Sequence, residues 1–250
     1  MTAQFIWYEL MTTDLERSAA FFAELLGGDV LRTDDVPPSY FVAPQGTESP
    51  LFGLVPIEPG KDIRSHWIGY LMVDDLDAAI AATEEAGGAV HALADEALRG
   101  DDARFAIVTD GQGAVVNLHE RVAGNGGDLP GVGRVAWVEL MTSDREGASD
   151  YYQTITGWQV GPEHARNDEG VAHGLFNGPN IIGLLRDQPA GSPVGPSWTF
   201  YLRVEDLDAS ITKARALGAF MFEDPAAVDG GRRVLLMDPT GAPVALWASQ

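Results

Sequence analysis

The chain has 250 residues, with 37 acidic against 16 basic side chains and a formal net charge of −21, which removes the basic footprint that a nucleic-acid partner requires. It contains no cysteine, so disulfides, thiol nucleophiles and Cys-ligated metals are excluded. Hydrophobic residues make up 45% of the chain; with no basic-then-apolar leader and no apolar run near the roughly 18 residues of a membrane span, the expectation is a soluble, cytoplasmic protein with no membrane partner.

Phe5 to Met11 alternates as a strand should. Asp14 then stands at a helix N-cap, and Leu15, Ala19, Phe22 and Leu26 recur at helical spacing up to Gly27. Strand patterns follow over Tyr40 to Ala43 and Leu51 to Val55. The same order returns with Ile68 to Val73, Asp75, a helix on Leu76, Ala79, Ile80 and Ala86, then Gly87 and strands over Phe105 to Val108 and Ala114 to Leu118. Residues 123–132, rich in glycine, are expected to be an exposed linker. Beyond it come Val135 to Met141, Asp144, Gly157 and Ile181 to Leu185, then Phe200 to Val204, Asp206, Gly218 and Val234 to Leu236.

This order is a tandem repeat. Trp7, Glu9-Leu10-Met11-Thr12 and Asp14 recur as Trp137, Glu139-Leu140-Met141-Thr142 and Asp144, and Asp110 with Gly113-Ala114 recurs as Asp238 with Gly241-Ala242. Within each half, Leu10-Met11 and Asp14-Leu15 match Leu71-Met72 and Asp75-Leu76. The expectation is two domains, 1–122 and 133–250, built from four β-α-β-β-β units of about 60 residues.

A strand leading into an Asp-capped helix that ends in glycine, closed later by Asp-x-x-Gly before a last strand, resembles the vicinal oxygen chelate superfamily: glyoxalases, bleomycin-resistance proteins, fosfomycin-resistance enzymes and extradiol dioxygenases. The resemblance covers essentially the whole chain. It implies an α+β fold of tandem glyoxalase-like domains, with curved sheets, helices on the convex side and a ligand cleft on the concave side. It leaves the activity open, because this scaffold hosts several chemistries.

Metal-using relatives hold a divalent ion with His, Gln or Glu at equivalent strand positions. Here those positions fall on Trp7, Ile68 and Asn117 in the first half and on Trp137, Thr199 and Ala245 in the second, with a middle position near Gly53 and Gly183. Tryptophan, alanine and glycine bring no ligand atom, whereas such an ion needs imidazole or carboxylate donors. His66, His91, His119, His164 and His173 are scattered. No metal and no cofactor are expected.

Strand alternation puts Trp7, Glu9 and Met11 on one face, and the repeat carries Glu9 onto Tyr70 and Glu139 onto Tyr201. A cleft carboxylate beside a phenol suits proton transfer at a carbonyl metabolite, as in a lyase, isomerase or hydrolase. A structural contact, including a glutamate reaching an arginine, is the alternative, and so is crosswise pairing of Glu9 with Tyr201. Trp7, Met11, Phe52, Asn117, His119, Trp137, Met141 and Trp247 are the candidate ligand-binding residues, the first domain being the more polar and the second the more apolar. The leading expectation is a metal-independent binding protein for a small, partly aromatic and cationic organic molecule, of the drug-sequestering kind, as monomer or homodimer.

Overall fold

The computed structural model describes residues 4–34, 38–94, 104–120, 135–167, 170–188, 195–228 and 230–250; the expected linker over 123–132 lies outside the described residues. The first module runs β1 (Phe5–Thr12), α1 (Leu15–Leu26), β2 (Gly28–Arg32), β3 (Tyr40–Pro44) and β4 (Phe52–Pro56). The second is β5 (His66–Val73), α2 (Leu76–Glu85), β6 (Ala89–Ala94), β7 (Phe105–Thr109) and β8 (Val115–Glu120). The third is β9 (Val135–Thr142), α3 (Arg145–Thr156), β10 (Gln159–Asn167), β11 (Gly170–Asn177) and β12 (Asn180–Asp187). The fourth is β13 (Ser197–Arg203), α4 (Leu207–Ala216), β14 (Phe220–Met221), β15 (Ala226–Val228), β16 (Gly231–Met237) and β17 (Pro243–Ser249).

All four helices begin as the aspartates dictate. Asp14, Asp75, Asp144 and Asp206 each accept the backbone N–H three residues on, at 3.1, 2.9, 3.1 and 3.0 Å, satisfying donors that the first turn leaves without partners. Gly27 and Gly157 close α1 and α3 with φ of 64° and 73°, values that a residue with a Cβ adopts only with strain.

The first two modules form one eight-stranded sheet, β2-β3-β4-β1-β5-β8-β7-β6, and the last two a nine-stranded sheet, β10-β11-β12-β9-β13-β17-β16-β14, with β15 on β16. In every module the first and last strands pair in parallel. The sheet edges are β2, β6, β10 and β14, strands that the alternation leaves unmarked. An edge strand covers less core, so its sequence is less constrained to alternate.

By contact density the chain forms two compact units that do not follow the sequence halves: Met1–Trp7, Gly69–Asp128 and Val138–Trp198 in one, and Tyr8–Ile68, Leu129–Trp137 and Thr199–Gln250 in the other. In the first unit α2 packs on α3, with Thr83 Oγ1 2.9 Å from the Tyr151 hydroxyl. The Tyr152 hydroxyl donates to Asp110 at 3.1 Å and accepts from Trp198 Nε1 at 2.9 Å, and Phe5 stands 5.1 Å from the Trp198 ring. Asp110 also accepts N–H groups from Gln112, Gly113 and Ala114. Burial pushes its carboxyl above the ordinary value, against those lowering bonds, and pushes the Tyr151 phenol up to about 12.

The second unit repeats this closure with other atoms. Asp238 accepts from Thr240 and Ala242 N–H and from Ser18 Oγ of α1 at 2.9 Å. Phe22 of α1 packs 5.5 Å from Phe52 and 5.4 Å from Trp67, and Tyr8 meets Phe200 at 5.0 Å. Among the described residues no helix is long and apolar enough to cross a membrane.

Candidate functional site

The helix contacts fix which strand faces are free. Trp67 meets Phe22 of α1, so Ile68 and Tyr70 on β5 point to the face away from the helices. Phe52 shares the Trp67 side and is fully enclosed, so its ring belongs to the core under α1.

In the first unit the helix-free face carries Tyr70, Asn117 and His119. Asn117 is the Cα partner of Tyr70 on one side and of Ile107 on the other, while Phe105 stands opposite His119. The Tyr70 and His119 rings lie 6.2 Å apart, tilted by 51°. Asn117 has 0% exposure, and neither its amide nitrogen nor its oxygen has a hydrogen-bond partner among the described residues. Two amide atoms left in that state cost roughly 1–3 kcal/mol each. Period-2 alternation turns Glu120 to the other face, where it pairs with Arg104 at 3.3 Å.

Also in the first unit, Glu139 is held by Arg186: Nε donates to Oε1 at 2.8 Å and Nη2 to Oε2 at 3.2 Å. The side chains are only 11% and 5% exposed. Met141 is the register partner of Arg186 and is half-buried. Both carboxylate oxygens are thus engaged, the outcome in which a glutamate reaches an arginine.

In the second unit, Glu9 lies across β4, where a Cβ added to Gly53 would sit 3.0 Å from its Cγ and Oε1. The expected middle ligand position is therefore the space that the Glu9 side chain fills. At Gly183 the register has slipped by one, Gly183 facing Val138 where Gly53 faces Glu9. Tyr8 and Phe200 meet on the helix side, so Glu9 and Tyr201, each the next residue along, turn to the opposite faces of their strands. Trp7, Met11 and Trp137 are half-buried.

Tyr201 pairs in register with Ala245, and Arg203 with Trp247. The Arg203 guanidinium lies 5.7 Å from the Trp247 ring centroid, and Arg233 stands opposite Trp247 on the next strand, paired with Glu223. The second half was expected to be the more apolar. It instead carries Arg186, Arg203 and Arg233, which no metal-ligand pattern marks, although Arg203 follows Tyr201 at period 2.

The sequence profile of the glyoxalase-like domain matches residues 7–119 and again 137–247. The chain belongs to the glyoxalase-like domain family. It is 28% identical over 252 residues to the anthracycline biosynthesis protein DnrV of Streptomyces peucetius, covering 94% of this chain and 90% of DnrV. Similar folds include 2,2',3-trihydroxybiphenyl 1,2-dioxygenase from Sphingomonas wittichii, with a TM-score of 0.67 at 18% identity, covering 100% of this chain and 91% of the dioxygenase. The Mn(II)-bound glyoxalase from Novosphingobium aromaticivorans has a TM-score of 0.66 at 15% identity, covering 99% of this chain and 82% of that one.

Such relatives raise the question of an ion, and the donor set of the described residues does not fit one. Among the described residues no three His, Asp or Glu side chains stand close enough to share a metal. His173 is held by Gly161 O and Arg145, His91 lies 3.1 Å from Thr109 Oγ1 and His66 lies 2.8 Å from Arg64 O. Three or four strong donors around one point are the minimum for such a site.

Proposed function

We propose that the protein binds a small planar organic molecule on the helix-free face around Tyr70, Asn117 and His119, without using a metal. The observation that carries this reading is the Asn117 amide, enclosed and unpaired on an otherwise largely apolar face. An amide offers a donor and an acceptor side by side. A ligand that reached Asn117 with a carbonyl and a hydroxyl would satisfy both, while the Tyr70 and His119 rings supply planar contact area.

The relation to DnrV supports a polycyclic aromatic molecule of the anthracycline type as the ligand class. The net charge of −21 favours a cationic form through long-range attraction. The lack of a clustered donor set among the described residues supports binding without metal catalysis, and an acid–base role for Glu139 would require breaking its pair with Arg186.

Calorimetric titration with an anthracycline and with its amine-free aglycone tests the reading. Saturable binding should be lost in Asn117→Leu, survive chelator treatment, and be more salt-sensitive for the amine-bearing form. Equal binding by Asn117→Leu, or binding abolished by chelation, overturns it.

A further inference from the structure

Arginines in this chain have abundant partners, because acidic side chains outnumber basic ones 37 to 16. The shielded ones use them. Arg104 pairs with Asp77 and Glu120, Arg145 with Asp187, Arg186 with Glu139, Arg232 with Asp208 and Arg233 with Glu223. Arg203 is the exception. It is half-buried, and its guanidinium carbon lies 5.7 Å from the Trp247 ring centroid; among the described residues it has no carboxylate partner.

The surroundings explain how that charge is held. Trp247 is the register partner of Arg203 on one strand and of Arg233 on the other, so the ring stands between two guanidinium groups on one face. Arg233 is neutralised by Glu223. Arg203 is steadied by the ring, which attracts a cation without neutralising it. A guanidinium packed against a ring still directs its N–H edge outward, in the fork that fits a carboxylate with two parallel hydrogen bonds. Tyr201, two residues earlier and paired with Ala245, continues the same face.

We infer that Arg203 and Trp247 form a second binding site, selective for the carboxylate of a small aromatic acid. The carboxylate docks on the Arg203 fork and the ligand ring lies along the apolar face. The site is in the other compact unit from Tyr70 and Asn117 and does not depend on the reading given to them. Its ligand charge is opposite to the one that the chain as a whole attracts, so selectivity arises locally, against the overall field.

The test is titration of the full chain with 2-naphthoate, with the uncharged 2-naphthylmethanol and with inorganic phosphate, followed by calorimetry. Naphthoate should bind saturably and the alcohol at least tenfold more weakly, the scale of one charge-assisted hydrogen-bonded pair. Arg203→Met should weaken naphthoate at least tenfold and Arg203→Lys less, because lysine keeps the charge and loses the fork. Arg17→Met, an exposed arginine on α1 that removes the same charge, should leave binding unchanged. Phosphate should not compete at equal concentration; full competition would overturn selectivity for a carboxylate. Equal affinity for acid and alcohol, equal loss in Arg17→Met, or no saturation up to about 10 mM would each overturn the site. A melting temperature for Arg203→Met close to wild type separates loss of binding from loss of folding, and Asn117→Leu should bind naphthoate normally.

Discussion

The two halves agree where their side chains face the helices and differ where they face away. Leu10 and Leu140 are both fully buried, as are Thr12 and Thr142, and Asp110 and Asp238 close equivalent turns on the N–H groups of Ala114 and Ala242. On the other face Glu9 fills the space over Gly53 while Glu139 grips Arg186, Asn117 stands where the second half has Ala245, and His119 where it has Trp247. The helix side specifies the architecture, and the far side is free to specify a ligand. One duplicated scaffold therefore carries two chemically different faces.

The sharpest way to break that contrast is Arg186→Met. It leaves the Glu139 carboxylate buried with its main partner removed, so unfolding in urea should show a loss of about 3–5 kcal/mol. The double variant with Glu139→Leu should recover most of the loss. No comparable effect is expected from Val55→Met, at the position that pairs with Met11 as Arg186 pairs with Met141.

On the helix side, Tyr152→Phe should cost about 1–3 kcal/mol, because one hydroxyl serves both Asp110 and Trp198. Ser18→Ala should cost less. Thr240 Oγ1 already donates to Asp238 at 2.8 Å and remains after the change. Equal losses would contradict the reading that the two turns are closed by unequal means.

The paired glycines sharpen the comparison further. A Cβ on Gly183 would meet the Val138 carbonyl oxygen at 2.3 Å, whereas one on Gly53 meets the Glu9 side chain at 3.0 Å. Backbone cannot yield as a glutamate can, so Gly183→Ala should fall within the roughly 1–3 kcal/mol range of overpacking and Gly53→Ala below it. Reversal of that order in thermal melts would place the register slip elsewhere.

The smallest effect is a pH dependence. Burial raises the Asp110 carboxyl above its ordinary value, so its stabilising contribution is complete below the ordinary carboxylate pKa of about 4 and declines as pH rises through the raised value. The melting temperature of Asp110→Asn relative to wild type should therefore climb as pH rises above the ordinary carboxylate pKa of about 4. A flat difference would mean that the four donors to Asp110 fully offset its burial.

Much of the fold was legible because it is written in spacing. Capping aspartates, terminal glycines and the internal repeat mark the helices and the module boundaries, and the sheets follow the sequence halves. The compact units could not be read the same way. They bring α2 against α3 and α1 against α4 and set the Ser18 hydroxyl of α1 on Asp238 in the turn after β16, and no periodicity encodes such contacts. For the candidate site, alternation put Trp7, Glu9 and Met11 on one strand face and the repeat carried that face to Tyr70 and Tyr201; Tyr70 has the His119 ring 6.2 Å away. Phe52 was misjudged from sequence alone because phase is counted from a strand's own ends, and only its contact with Phe22 reveals which face it takes. The arginines were missed because their meaning lies in which partners they have.

The account rests on Asn117 being kept for a ligand at the expense of the empty protein's stability. The melting temperature of ligand-free Asn117→Leu tests this most directly. Replacing an enclosed, unpaired amide with an apolar side chain of similar size should raise it, by the equivalent of about 1–3 kcal/mol, while binding is lost. A clear fall in melting temperature would mean that the amide already has partners in the fold, and the assignment of this face to a ligand would fail.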